Sequence, residues 1–248
     1  MNDFSENELK LPSGSIHYRL RGNTNPLFVF VYGGMGQIDQ STWDVIISLL
    51  PEELSILTFD RPGVGKSKKS DINRNAENIC LEIKSLLDSL NFSKYILVGH
   101  SLGGLLVRYF ACRFPEKVAG LILLDSTHED QLTRGKKYYD PQMLKEGEKS
   151  FLNNPEGFVL PDDLDTSFAQ IRAFKSLPQN IKTIVAVAGN SLPPQILNAD
   201  KLNELNILLH RQLAETSFDS ELYIVENCFH SFYVDQPDIV VNIIKSIL

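Results

Sequence analysis

Apolar residues follow two alternating rhythms along this chain. Short, nearly unbroken apolar runs read as buried strands: Leu27–Tyr32, Leu54–Asp60, Tyr95–Val98, Leu121–Asp125, Thr183–Ala188 and Glu221–Val225. Between them, stretches with a 3.6-residue period read as helices: Thr42–Leu50, Asn75–Asn91, Leu102–Cys112, Asp200–Ala214 and Ile239–Leu248. In Asn75–Asn91 the residues Ile79, Ile83, Leu86, Leu87 and Leu90 fall on one face. Leu9–Leu20 carries Pro12-Ser13-Gly14-Ser15 between two strand-like runs and reads as a hairpin. Strand and helix in repeated alternation predict an α/β fold with a mainly parallel sheet covered by helices on both faces.

The alternation breaks after Asp125. Ser126 to Asn180 is richer in charge, Pro, Gly and Asn, with helix candidates near Gln142–Asn153 and Asp163–Leu177. It also scatters aromatics: Tyr138, Tyr139, Phe151, Phe158, Phe168 and Phe174. So long a stretch inside an α/β alternation predicts an inserted unit rather than a loop. The expected organisation is a core of 1–126 and 181–248 with a helical cap, or lid, at 127–180.

A length of 248 residues suits one such domain, and 43% hydrophobic with 22% charged residues is ordinary for a globular chain. The net charge of −7 argues against a nucleic-acid partner, which needs clustered Lys and Arg. Lys66, Lys68 and Lys69 form a small basic knot that reads as a solvated loop. Cys80, Cys112 and Cys228 match no metal spacing and read as reduced thiols, the first two as small core hydrophobes. Met1–Lys10 has no secretory pattern, and the longest apolar run, Leu27–Tyr32, is too short for a bilayer. The expectation is a cytoplasmic monomer or homodimer acting on a small molecule, with no metal, cofactor, membrane or nucleic-acid partner. Gly65-Lys66-Ser67 resembles the end of a P-loop, but Asp60 occupies the position of its first glycine. Gly34-Met35-Gly36 likewise begins a dinucleotide fingerprint whose third glycine is Asp39.

Gly99-His100-Ser101-Leu102-Gly103 stands where a strand gives way to a helix. A serine at such a corner is held in a strained backbone conformation with its hydroxyl clear of the sheet, and the glycines remove side chains that would collide there. Helix-start amides point at whatever anion forms beside that hydroxyl. Serine needs a base, and histidine is the usual one at neutral pH. Of His17, His100, His128, His210 and His230, the last follows the final strand and so lies at the same sheet edge as Ser101. His100 reads as a neighbour that points elsewhere, and His17 and His210 as structural or solvated. The carboxylate that orients the base is Asp125, at the end of the next strand, or Asp200. Amides for an oxyanion are expected from Leu102 and from the turn Gly33-Gly34-Met35-Gly36, at Gly34 or Met35.

Ser101, Asp125 and His230 occur in the chain order of the α/β-hydrolase fold, and the sequence resembles that superfamily over nearly its whole length. Gly99–Gly104, G-H-S-L-G-G, resembles the form common in its esterases, lipases and peptidases. Asp60–Ser67 looks like its D-R-x-G-x-G-x-S segment, and Phe229-His230-Ser231-Phe232 with Pro237 like its terminal G-H-F…P stretch. The resemblance implies an eight-stranded, mostly parallel sheet with the cap inserted after the sixth strand. It also implies a cofactor-free serine hydrolase; the aromatics of the inserted stretch suggest an apolar acyl or alcohol pocket, so a small apolar carboxylic ester is the expected substrate. Two departures stand out. Tyr32-Gly33 replaces the usual H-G before the oxyanion turn, so a bracing hydrogen bond there needs a substitute. The acid that most members carry after the seventh strand is missing. The same triad also serves aminopeptidases, for which Glu129 and Asp130 could meet a free amine, C–C bond hydrolases, haloperoxidase-like enzymes and non-catalytic receptors.

Overall fold

Each apolar run becomes a strand of one eight-stranded sheet in the computed structural model, which describes residues 4–34, 39–140, 142 and 164–248. The strands are β1 Ser5–Leu11, β2 Gly14–Arg21, β3 Leu27–Val31, β4 Ser55–Phe59, β5 Tyr95–His100, β6 Val118–Leu124, β7 Lys182–Ala188 and β8 Ser220–Val225. Their spatial order is β1-β2-β4-β3-β5-β6-β7-β8. β2 runs antiparallel to β1 and β4, and the pairs from β4 onward are parallel. All carboxyl ends from β3 to β8 therefore share one edge.

The helices are α1 Asp44–Leu49, α2 Ala76–Ser89, α3 Leu102–Arg113, α4 Gln131–Gly135, α5 Leu164–Arg172, α6 Ala199–Ala214, α7 Phe232–Asp235 and α8 Pro237–Lys245. Strand alternation sends Val29, Leu57, Leu97, Leu121 and Val185 to one face, against α2 and α3. Phe28, Phe30, Val98, Ile122 and Ile184 go to the other, against Trp43, Ile46, Val240 and Ile244. Both faces are covered, which is why the strands read as continuous apolar runs rather than alternating ones. Truncating a fully buried Phe28 or Ile122 to Ala would cost roughly 2–5 kcal/mol.

Element limits differ from the expected ones for local reasons. The predicted helix Thr42–Leu50 opens as a 3₁₀ turn over Gln40–Trp43, because the Asp39 carboxylate accepts from the Ser41 amide and caps it. Asn75 caps α2 by accepting from the Asn78 amide, and Pro237 starts α8 two residues early. Cys80 is buried as expected, but Cys112 lies at the rim, half-buried beside Ser176.

The helix candidate Gln142–Asn153 lies outside the described residues apart from Gln142. The candidate Asp163–Leu177 is the shorter α5, docked across the start of α2. There Ser167 Oγ accepts from the Ala76 amide at 2.9 Å and Gln170 Oε1 from the Glu77 amide at 3.1 Å. This satisfies donors that a helix start otherwise leaves open. α4 lies against α6, with Arg134 donating to Gln212 at 2.8 Å. Phe168 is buried in the core, and the half-buried Phe174 packs edge-on against Tyr109 and lines a cavity with Arg108 and Glu129 whose lining does not include Ser101.

Candidate active site

Ser101 joins β5 to α3 with φ 54° and ψ −125°, a conformation that L-residues avoid. Such strain costs about 1–3 kcal/mol and survives only where surroundings fix the backbone. Here the Ser101 amide donates to the Leu124 carbonyl at 3.1 Å, and the Ser101 carbonyl accepts from the Gly104 and Thr127 amides at 2.9 Å. Its hydroxyl makes no cap bond to α3 and stays available. The corner is tight. A side chain at Gly103 would put a Cβ 2.1 Å from the Val31 carbonyl oxygen, and one at Gly33 would put it 2.7 Å from Ser101 Cβ.

Asp125, at the end of the neighbouring strand β6, also has positive φ, 41°. Its side chain is 1% exposed, and Oδ2 lies 2.6 Å from His230 Nδ1. Burial pushes its carboxyl up, but the hydrogen bond and charge of His230, with His210 and Ser191, outweigh burial and hold it at about 2. An ionised Asp125 keeps the proton on Nδ1 and leaves His230 Nε2 as an acceptor.

His230 is fixed through its main chain as well. Its amide donates to the Ser191 carbonyl at 3.1 Å, and its own carbonyl accepts from His100 Nε2 at 3.0 Å. The His100 and His230 rings lie 4.6 Å apart, with Tyr233 against His100 at 4.7 Å. Burial, then the charge of His230, lowers His100 to about 3, so it is a neutral donor. Asp200 lies elsewhere, on the exposed first turn of α6, with Lys201 as its nearest cation at 3.9 Å. His17 sits on β2, where Gln40 Nε2 donates to its Nδ1 at 2.6 Å. His210 is not solvated: it is fully buried in α6, its Nδ1 donating to the Asn206 carbonyl at 2.8 Å. His128 Nδ1 accepts from the Asp130 amide at 3.1 Å.

Leu102 opens α3, so its amide has no carbonyl one turn back to meet. Gly34 ends the described part of the turn after β3, and Met35 falls outside the described residues. The carboxylates offered to an amine are both engaged: Glu129 by the buried Arg108, and Asp130 by Arg172 at 2.9 Å. No cluster of three or more His, Cys, Asp or Glu able to hold a metal ion occurs among the described residues. No described helix is long and apolar enough to cross a membrane.

A family model described as alpha/beta hydrolase fold matches residues 26–203. The chain belongs to the α/β-hydrolase fold family. Among curated relatives of this α/β-hydrolase, a mouse serine hydrolase-like protein is 32% identical over 126 residues, 50% of this chain and 40% of that protein. Human epoxide hydrolase 4 is 28% identical over 141 residues, 56% of this chain and 39% of its own. The matched stretch thus spans about two-fifths of either relative. Mouse alpha/beta hydrolase domain-containing protein 10 shares the fold with a TM-score of 0.70 at 19% identity, covering 98% of this chain and 97% of that one.

Two features of this α/β-hydrolase site escape a reading of the sequence. The first is the brace for the turn after β3: Arg61, buried, donates from Nη2 to the Gly33 carbonyl at 2.8 Å with its guanidinium 5.5 Å from the Tyr32 ring. The Tyr32 hydroxyl itself turns to Asp60, at 3.4 Å. The second is the surround of Asp125. Ser191 Oγ donates to Oδ2, Asn206 Nδ2 donates to Oδ1 at 2.9 Å, and the Ala188 amide approaches Oδ1 at 3.4 Å. A signal for it exists in the sequence: Asn203, Asn206 and His210 interrupt the apolar stripe Leu202, Leu205, Leu209 and Leu213 at helical spacing.

Proposed function

We propose that this chain is a serine hydrolase that cleaves a small, apolar carboxylic ester through an acyl-enzyme. The observation that carries the reading is the 2.6 Å bond between His230 and a buried, ionised Asp125, at the sheet edge where Ser101 is held in a strained corner. Ser101 Oγ attacks the ester carbonyl and its proton passes to His230 Nε2. The carbonyl π-pair moves onto oxygen, where the Leu102 and Gly34 amides (or Met35 in place of Gly34) receive the charge. Collapse breaks the bond to the alcohol, which leaves with the proton from His230. Water then gives a proton to His230 as it attacks the acyl carbon, and collapse releases the acid while His230 returns that proton to Ser101 Oγ.

An uncharged ester fits the surroundings of Ser101. Gly33, Gly34 and Leu102 bring no charge, and Glu129 and Asp130 are already paired with arginines. The core of 1–126 and 181–248 supplies the reacting groups. The proposed helical cap, 127–180, is the stretch inserted between β6 and the adjacent β7, and its described helices α4 and α5 pack on α6 and α2. A single small substrate, no cofactor and a monomeric or dimeric cytoplasmic enzyme complete the proposal.

The test is hydrolysis of p-nitrophenyl esters of increasing acyl length, with Ser101→Ala alongside. Saturable turnover of the short esters that is lost in Ser101→Ala supports the reading. Turnover at the buffer rate across the whole series contradicts it.

A further inference from the structure

Buried polar side chains cost stability unless every donor and acceptor is met, commonly about 1–3 kcal/mol for each one left unmet. α6 carries three of them on its buried face, Asn203, Asn206 and His210, spaced three and four residues apart. Asn206 donates to Asp125 Oδ1 at 2.9 Å, and its main-chain carbonyl accepts from His210 at 2.8 Å. Asn203 grips the turn after β7 twice, accepting from the Leu192 amide at 2.8 Å and donating to the Leu192 carbonyl at 3.0 Å. That turn carries Ser191. Its hydroxyl donates to Asp125 Oδ2, the oxygen that also receives His230 Nδ1, while its carbonyl accepts the His230 amide at 3.1 Å. Ser191 thus holds the acid with its side chain and the base with its main chain.

We propose that Ser191 and Asn206 are positioning residues that fix the Asp125 carboxylate in line with the His230 imidazole, with Asn203 anchoring Ser191 from α6. The inference rests on the reading of Ser101, His230 and Asp125 as the reacting set. A carboxylate has two oxygens and can rotate. A donor on each, from two separate elements, stops rotation and leaves one lone-pair direction for Nδ1. It also accounts for an acid after β6 serving without a carboxylate after β7, because the β7 turn contributes the donor that holds it.

Removing the Ser191 hydroxyl lets the carboxylate rotate out of line with Nδ1, which slows proton transfer from Ser101.

The experiment measures the rate of fluorophosphonate adduct formation at Ser101 by intact mass, from pH 5 to 9. It compares wild type, Ser191→Ala, Ser191→Thr and Asn206→Leu, each checked for folding by circular dichroism. Ser191→Ala and Asn206→Leu are expected to label roughly 10- to 100-fold more slowly. Ser191→Thr, which keeps the hydroxyl, should return to within about threefold of wild type. If Ser191→Ala does not fold, the near-isosteric Ser191→Cys takes its place with the same expectation. Folded Ser191→Ala and Asn206→Leu that label at the wild-type rate overturn this proposal alone. A wild type that does not label overturns the proposed function, and this inference with it.

Discussion

His230 Nδ1 meets Asp125 Oδ2 at 2.6 Å across 105 residues of sequence. The two ends of that bond come from the turns after β8 and β6, with β7 between them. Asp125→Asn keeps the shape but reverses the hydrogen-bond demand on Nδ1, which favours the wrong tautomer of His230. Ester turnover is expected to fall by about 10³–10⁴-fold, as judged from kcat/KM. Asp200→Asn, at an exposed helix start, should stay within about twofold of wild type. The reverse pattern would move the acid to Asp200.

Arg61 separates activity from stability. Its Nη2 holds the Gly33 carbonyl, while Nε and Nη1 are buried without hydrogen-bond partners among the described residues, so the side chain bears a desolvation cost that this bond and the Tyr32 ring offset. Arg61→Met should therefore lower kcat about 10- to 100-fold by loosening the oxyanion turn. The melting temperature should change by less than about 5 °C. A large loss of melting temperature with unchanged kcat would make Arg61 a structural residue only.

Gly33 tests the close approach directly. A methyl at this position would stand 2.7 Å from Ser101 Cβ and 3.1 Å from its Oγ. Gly33→Ala must shift either the turn or the serine. We expect at least a tenfold loss of kcat/KM while circular dichroism stays that of wild type. Unchanged kinetics would mean that the turn has room that the structure lacks.

Three buried histidines give stability a defined pH slope. Burial is the largest cause in each case, lowering His100 to about 3, His128 to about 4, and His210 in the same direction. Their unfolded value is near 6.5, so on acidification the unfolded chain takes up protons that the folded chain refuses. Stability is therefore full above pH 6.5 and declines as the pH falls towards the folded values. Between pH 7 and 5 His100 and His128 each contribute a loss of roughly 2 kcal/mol, and His210 acts in the same direction. Asp125, held at about 2, adds no slope in that window. Urea midpoints at the two pH values check this, and His210→Gln should make the difference smaller. Equal midpoints would show that these histidines are protonated in the fold.

The extent to which the site is legible in sequence follows from what periodicity and motif can carry. Continuous apolar runs give the strands because the sheet is buried on both faces, and the corner at Ser101 announces itself through glycines that only a close approach requires. Asp125 and His230 are legible as strand-end residues at one sheet edge. Ser191, Asn206 and Arg61 are not, because their partners arrive from distant elements: Ser191 lies 66 residues from Asp125, and Arg61 28 residues from Gly33. The aromatic at 168 misleads for the complementary reason. Apolar side chains look alike in sequence whether they line a pocket or, as here, fill the core.

An activated Ser101 nucleophile is read out by intact-mass spectrometry after exposure to a fluorophosphonate. A single adduct on wild type, mapped to Ser101 by peptide sequencing and absent from Ser101→Ala, is the predicted result. Folded wild-type protein that takes up no adduct, or one that takes it up equally in Ser101→Ala, would contradict the account.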